Sequence, residues 1–162
     1  MNNKFMQITV GTFLGLLMLV VGTQTSVFGQ ENKINGASSS ALVGVWQTTA
    51  TPRNCMTGDP AGPAFQGLYA FHEGGTMTED SAGLPPSLRT TAHGVWEASN
   101  MFHPTFAFNF IRFNADGTFA GRTTIRATVF LGASGNDYTT TGTVVVGGNV
   151  VGCVTTTATR FQ

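Results

Sequence analysis

The sequence predicts an all-β domain, an antiparallel up-and-down barrel of eight strands. Short runs rich in Thr, Val and Phe are separated by Gly- and Asn-containing turn signals, which is typical of sequential β-strands. No segment keeps a 3.6-residue apolar period, so helices are expected to be short or absent. The 13 Phe residues and the low charged fraction of 10% favour a β domain with a large apolar interior.

Eight runs have the composition of strands. In chain order they are 43–51, 67–73, 76–80, 93–99, 105–113, 118–131, 138–146 and 150–161. Gly74 and Gly75 predict a two-residue hairpin between the second and third runs. The segment 114–117 predicts a four-residue turn in which Gly117 takes a positive φ.

Eight sequential antiparallel strands can form either a closed barrel or a β-sandwich. Closure is favoured because it removes the unpaired strand edges that a sandwich leaves exposed. Two longer connections, 52–66 and 81–92, both follow odd-numbered strands and therefore emerge at the same end of the sheet. Loops of this length in a compact domain are often functional, so we expect them to gate the mouth of the barrel.

The first 29 residues have the pattern of a secretory signal peptide. Lys4 precedes an apolar run over 11–22, and a polar stretch then leads to the small residue Gly29. The run of about a dozen residues is shorter than the roughly 20 that a membrane-spanning helix needs. We therefore expect cleavage near Gly29, a flexible leader over 30–41 and one domain over 42–162. The mature chain would be secreted or periplasmic, with no membrane span.

The sequence contains two cysteines, Cys55 and Cys153. Outside the cytoplasm two thiols usually pair, so we expect a disulfide. Cys55 lies just beyond the first strand and Cys153 lies in the eighth, so the bond requires these strands to be close and favours closure. Neither cysteine has a His or another Cys at ligand spacing, and we expect neither a metal site nor a cofactor.

The charge pattern excludes one class of partner. The formal net charge is zero and the basic residues are scattered along the chain. A surface that follows nucleic-acid phosphates needs clustered Lys and Arg. We therefore expect no nucleic-acid partner.

The first strand carries Gly44-Val45-Trp46, and Arg160 lies near the end of the last strand. This pattern resembles the lipocalins and the wider calycin group. The resemblance implies an eight-stranded barrel with an apolar cavity for a small hydrophobic ligand, and it implies that Trp46 packs against Arg160 at the barrel floor. The segment 51–58 is also similar to one found in exported bacterial proteins of uncharacterised function.

Alternation along the strands selects residues that could line a cavity, because every second residue of a barrel strand points inward. The candidates are Trp96, Phe106, Phe108, Phe110, Arg112, His72, His93 and Glu97. An inward Arg112 would need a partner, since a buried unpaired charge is very costly. Glu79, Glu97 or a ligand carboxylate could supply that partner.

Three functions are compatible with these residues. The first is binding of a small, mostly apolar molecule, and the second is a structural or interaction role for a barrel whose interior is filled. The third is a barrel cyclase or isomerase that uses polar groups such as His72, His93, Glu97 or Arg112 inside a cavity. A cavity would favour binding, and a cavity that also contains a His–Glu or Arg–Glu contact would favour catalysis.

Overall fold

The computed structural model describes residues 41–98 and 103–162, so the predicted signal peptide and nearly all of the predicted leader lie outside the described residues. The described chain forms a closed barrel of eight antiparallel strands in sequence order. The strands are β1 (Gly44–Arg53), β2 (Phe65–Phe71), β3 (Thr76–Ser81), β4 (Ala92–Glu97), β5 (Thr105–Phe113), β6 (Phe119–Leu131), β7 (Asp137–Val146) and β8 (Asn149–Arg160). One 3-10 helix, Pro86–Leu88, lies between β3 and β4. The all-β barrel prediction is confirmed, and the sandwich alternative is wrong.

The barrel closes through β1 and β8. Their antiparallel register runs from Trp46 opposite Arg160 to Arg53 opposite Cys153, and each of the other strands pairs with the next in the chain. This pairing leaves no open sheet edge in the described barrel, which is the advantage of closure. Across the described chain, no helix is long and apolar enough to cross a membrane.

The strand bounds differ from the predicted runs by at most two residues. One turn differs in kind. The connection between β2 and β3 contains His72 and Glu73 as well as Gly74 and Gly75, and is not a two-residue hairpin. Both glycines have positive φ, of 84° and 87°, and the His72 N–H donates to the Thr76 carbonyl at 2.9 Å. Gly117 has the predicted positive φ, of 82°.

The predicted disulfide between Cys55 and Cys153 is present, with a Cα–Cα distance of 5.1 Å. It joins the loop after β1 to β8 beside the last register pair of these strands, Arg53 opposite Cys153. The two cysteines are 98 residues apart in the chain. The bond therefore constrains almost the whole described barrel in the unfolded state.

Replacing both cysteines by alanine should lower the free energy of unfolding by about 2–4 kcal/mol, because the unfolded chain regains the freedom of a long loop. Urea denaturation of the oxidised protein and of the double variant measures this difference. Wild-type protein in a reducing agent is the control, and its midpoint should fall to that of the variant. Mass spectrometry that detects two free thiols in the unreduced protein would contradict the prediction.

The interior of the barrel is filled at one end and open at the other. At the floor, where even-numbered strands end, large buried side chains meet: Trp46, Phe71, Met77, Trp96, Phe106, Val129 and Tyr138. Their rings make edge contacts, such as Phe71 with Trp96 at 6.0 Å between centroids. At the opposite end, the mouth, β1 and β8 contribute the smaller residues Ala50, Gly152 and Val154, which leave space unfilled.

Gly44, Trp46 and Arg160 form one unit at the floor. Trp46 is fully buried, its Nε1 donates to the Leu42 carbonyl at 2.9 Å, and the Arg160 guanidinium lies 4.2 Å above its ring. Arg160 also donates to the carbonyl of Val43 at 2.9 Å. Gly44 has a φ of 130°, and a Cβ at this position would lie 2.7 Å from Arg160 Nη1. A glycine is therefore required where the arginine reaches across the chain.

Candidate functional site

An open cavity of about 720 Å³ occupies the mouth end of the barrel. This volume lies in the range of small-molecule sites. Most of its wall is apolar and includes Ala50, Leu84, Phe108, Phe110, Ile125, Val144 and Val154. Both longer connections contribute to its rim, the first through Met56 and Ala61 and the second through Gly83 and Leu84. The structure therefore places both predicted loops at the cavity entrance.

A buried ion pair between Glu79 and Arg89 lies in the cavity wall. Arg89 donates through Nη1 and Nη2 to the two carboxylate oxygens of Glu79, and Nη1 also donates to Ser81 Oγ at 2.7 Å. The guanidinium carbon of Arg89 lies 4.1 Å from the centroid of the Phe110 ring. Glu79 is only 2% exposed. The two charges therefore neutralise each other inside an apolar wall, as burial of charge requires.

Local sequence explains how the pair forms. On β3 every second residue points inward. Met77 and Glu79 are two such residues, so the Glu79 carboxylate points into the barrel. Arg89 follows the 3-10 helix Pro86–Leu88, and its backbone forms an isolated antiparallel bridge with Arg112 of β5. The end of the loop thus lies alongside β5, and from there the Arg89 side chain reaches Glu79 in the barrel interior.

Tyr69 lies on the cavity wall, directly opposite Glu79 in the register of β2 and β3. Burial raises the pKa of Tyr69 well above its usual range, and the negative charge of Glu79 raises it further, while the Thr156 hydroxyl and Arg89 act in the opposite direction. Burial raises the pKa of Tyr138 as well, with a smaller effect from Tyr69. Both phenols therefore stay protonated and can donate hydrogen bonds.

Several hydroxyl groups lie on the inner face of β1, β7 and β8, and one of them, that of Thr156, is within hydrogen-bonding reach of Tyr69. Thr48 and Tyr138 are both opposite Ala158 of β8, and Thr140 is opposite Thr156, so these residues are close together on the inner face. Among the described residues, the hydroxyls of Thr48, Tyr138 and Thr140 are buried without a hydrogen-bond partner. We call this set, Thr48, Tyr69, Tyr138, Thr140 and Thr156, the hydroxyl layer.

The structure separates the residues that the sequence suggested for a cavity. Phe108 and Phe110 are on its wall, whereas Trp96 and Phe106 point inward but belong to the floor. The Nε1 of Trp96 donates to the His72 carbonyl at 3.0 Å, which fixes the ring there. Phe108 and Phe110 therefore lie where an apolar ligand would contact them.

The polar candidates His72, His93 and Glu97 are exposed, and their assignment to the interior is wrong. On β4 the inward positions belong to Ala92, Gly94 and Trp96, so His93 and Glu97 face solvent. Glu97 instead accepts a hydrogen bond from the Thr105 hydroxyl on the outer face, at 3.3 Å. In the described ranges, no three His, Cys, Asp or Glu side chains come together as metal ligands.

Arg112 takes the inward position beyond Phe110 on β5, but it is not on the cavity wall. Neither Glu79 nor Glu97 is the partner of Arg112, because Glu79 pairs with Arg89 and Glu97 is exposed on the outer face of the barrel. Its Nε is buried without a hydrogen-bond partner in the described part of the chain. The side chain extends toward Gly121, where a Cβ would lie 3.6 Å from Arg112 Nη2.

Sequence analysis missed Tyr69, Arg89 and Thr123 as site residues and considered Glu79 only as a partner of Arg112. A signal for Glu79 and Tyr69 did exist. Glu79 is two residues from the apolar Met77 and Tyr69 is two residues from the apolar Phe71, so each shares the inward face of its strand with that apolar residue. No comparable signal marks Arg89, which lies in an irregular loop where side-chain direction has no period.

Fold and site together define a closed eight-stranded antiparallel barrel with an apolar cavity at its mouth and a buried ion pair in the cavity wall. No known family model matches the sequence, and no curated protein matches it at a significant level. The functional inference therefore depends on the barrel and the cavity themselves.

Proposed function

We propose that this chain is an exported, lipocalin-like barrel that binds a small, mostly apolar molecule at its mouth. The observation that carries the proposal is the open cavity of about 720 Å³ with its apolar wall. Small-molecule sites typically combine such walls with a few polar groups that orient the ligand, and here Glu79, Arg89 and Tyr69 supply these groups. The disulfide supports export, because such bonds persist in oxidising compartments.

The cavity also argues against a purely structural barrel. A structural or interaction barrel needs no interior space, and its stability benefits from complete filling. Here the floor is filled by aromatic residues, while the mouth is left open above Tyr69 and Phe108. An open, apolar end is costly unless a ligand occupies it during function.

A second candidate function is that of a cyclase or isomerase that folds its substrate inside the cavity. The Arg89–Glu79 contact favours it, because it places a charged pair beside Tyr69 in an apolar space. Binding is the stronger candidate, since both carboxylate oxygens of Glu79 already accept hydrogen bonds from Arg89. A ligand recovered unchanged after incubation, as judged by mass spectrometry and NMR, would favour binding, and an isomerised one would favour the enzyme.

The binding proposal can be tested with 1,6-diphenylhexatriene, a hydrocarbon that fluoresces in apolar surroundings. We expect saturable binding to the oxidised protein, and we expect Gly152→Trp to weaken it at least about 10-fold. Gly152 lines the cavity, and a Cβ at this position meets no atom within 4 Å, so the indole would take up ligand space without a clash at its root.

Thr157→Trp is the matched control, because it adds the same ring to the same strand at an exposed position. Its probe affinity should equal that of the wild type. Equal binding by the Gly152→Trp variant would show that the probe occupies another place. Absence of saturable binding to the wild type would overturn the proposed function.

A further inference from the structure

We propose that the buried end of the ligand carries an uncharged oxygen group, a hydroxyl above all, that hydrogen-bonds the hydroxyl layer at Tyr69. The inference rests on the proposed function and specifies the chemical class of its ligand. It makes the preferred ligand an apolar alcohol, inserted with its hydroxyl toward the floor and its hydrocarbon part toward the mouth.

The charges of the cavity wall disfavour a charged group at its inner end. Glu79 and Arg89 form a bidentate ion pair, so their charges cancel locally. The third charged residue of the wall is Arg53, at the rim, and its Nε donates to Thr155 at 2.9 Å. Moving an ionised group into this neutral, apolar end would lose its hydration without gaining a counter-ion.

Uncharged hydroxyls, by contrast, are concentrated at this end. Tyr69 is on the wall, and the hydroxyl of Thr156 lies within hydrogen-bonding reach of that of Tyr69. Because the phenol of Tyr69 stays protonated, it can donate to a ligand oxygen and also accept from a ligand O–H. An alcohol both donates and accepts, and it therefore matches these groups.

The unpartnered members of the layer supply the second observation. The hydroxyls of Thr48, Tyr138 and Thr140 are buried without a partner within the described chain, although each residue is at most 2% exposed. Buried polar groups almost always have partners, so this layer has hydrogen-bonding capacity that its own members do not use. Thr48, Tyr138 and Thr140 are not on the cavity wall, so a ligand oxygen at Tyr69 would act on them through the layer and not by direct contact. The charge of an ionised Tyr69 would raise the pKa of Tyr138, because the two phenols are near each other.

The test is displacement of 1,6-diphenylhexatriene by compounds of one chain length, 1-decanol and decanoate, at pH 8. We expect the alcohol to displace the probe at a concentration at least about 10-fold lower, because decanoate is ionised and its burial is costly. Tyr69→Phe should weaken decanol binding by about 3- to 10-fold, the effect of one lost hydrogen bond. The ratio of decanol affinity to probe affinity in the same variant should fall by that factor, which separates the lost hydrogen bond from a general change of the cavity.

Tyr138→Phe is the second variant, and it removes a hydroxyl that has no partner in the described chain. We expect it also to lower the ratio of decanol affinity to probe affinity. Thr139→Val, on the exposed outer face of β7, is the control and should change neither affinity.

The outcomes separate this proposal from the proposed function. If the probe binds and decanoate displaces it as well as decanol does, the ligand class is wrong and the proposal is overturned. If both phenylalanine variants bind decanol like the wild type, the hydroxyl layer does not contact the ligand and the proposal is overturned. Failure of the probe itself to bind would instead reject the binding function.

Discussion

Replacing Trp46 by alanine should lower the free energy of unfolding by about 3–5 kcal/mol, the range for buried aromatic residues. Trp46 is fully buried and makes an edge contact with Tyr138, at 4.8 Å between ring centroids. The substitution also removes the surface under the Arg160 guanidinium and the indole donor to the Leu42 carbonyl. The floor would then contain a cavity that its rigid neighbours cannot fill.

Urea denaturation measures this loss. Val45→Ala is the matched control, because the neighbouring side chain on β1 is 43% exposed and its truncation should cost well under about 1 kcal/mol. A midpoint for Trp46→Ala close to that of the wild type would contradict the role of Trp46 and Arg160 as the closure of the floor.

Replacing Arg89 by methionine should be about as damaging, with an expected loss of about 3–5 kcal/mol. The variant leaves the carboxylate of Glu79 buried without a counter-ion, and it also removes the donors to Ser81 and Thr90. The double variant Glu79→Leu/Arg89→Met should recover most of the stability, because well-packed apolar groups can replace a buried ion pair at little cost.

Arg126→Met is the control for this pair, since Arg126 is exposed on the outer face of β6 and its loss should cost under about 0.5 kcal/mol. Equal stabilities for the single and the double variant would show that the loss of Arg89 does not leave Glu79 as a costly unpaired charge. The ion pair would then not be the coupled unit that the structure describes.

The strands and their order were predictable because their signals are local. Gly117, for example, closes the turn between β5 and β6 with the positive φ that its position in the turn implies. Closure was predictable from Cys55 and Cys153, because a bond between the first and last strands requires these strands to be near each other. The floor contact of Trp46 and Arg160 followed from the resemblance to lipocalins.

The polar residues of the site were not predictable from residue type alone. His93 and Glu97 attract interest because of their chemistry, but they have the opposite parity to Trp96 on the same strand. Since successive residues of a strand face opposite sides of a sheet, His93 and Glu97, which are three residues and one residue from the buried Trp96, face outward. Applying that parity to every candidate would have removed these two and selected Glu79.

Arg89 shows where sequence reasoning ends. It lies in the connection between β3 and β4, where no period indicates side-chain direction, and only the pairing of its backbone with β5 brings it to Glu79. The open cavity depends likewise on small side chains near the mouth end of two neighbouring strands, Ala50 on β1 and Gly152 and Val154 on β8. Whether these side chains come together depends on the register between strands that are far apart in the sequence.

Methyl NMR during titration with 1,6-diphenylhexatriene tests the central claim, ligand binding inside the mouth of the barrel, most directly. The methyl groups of Ala50, Ile125, Val144 and Val154 line the cavity, whereas Val45 and Val95 are exposed on the outer face. We expect the ring of the bound probe to shift the signals of the first group and to leave those of the second unchanged. Shifts confined to Val45 and Val95, with the cavity methyl groups unmoved, would contradict binding within the barrel.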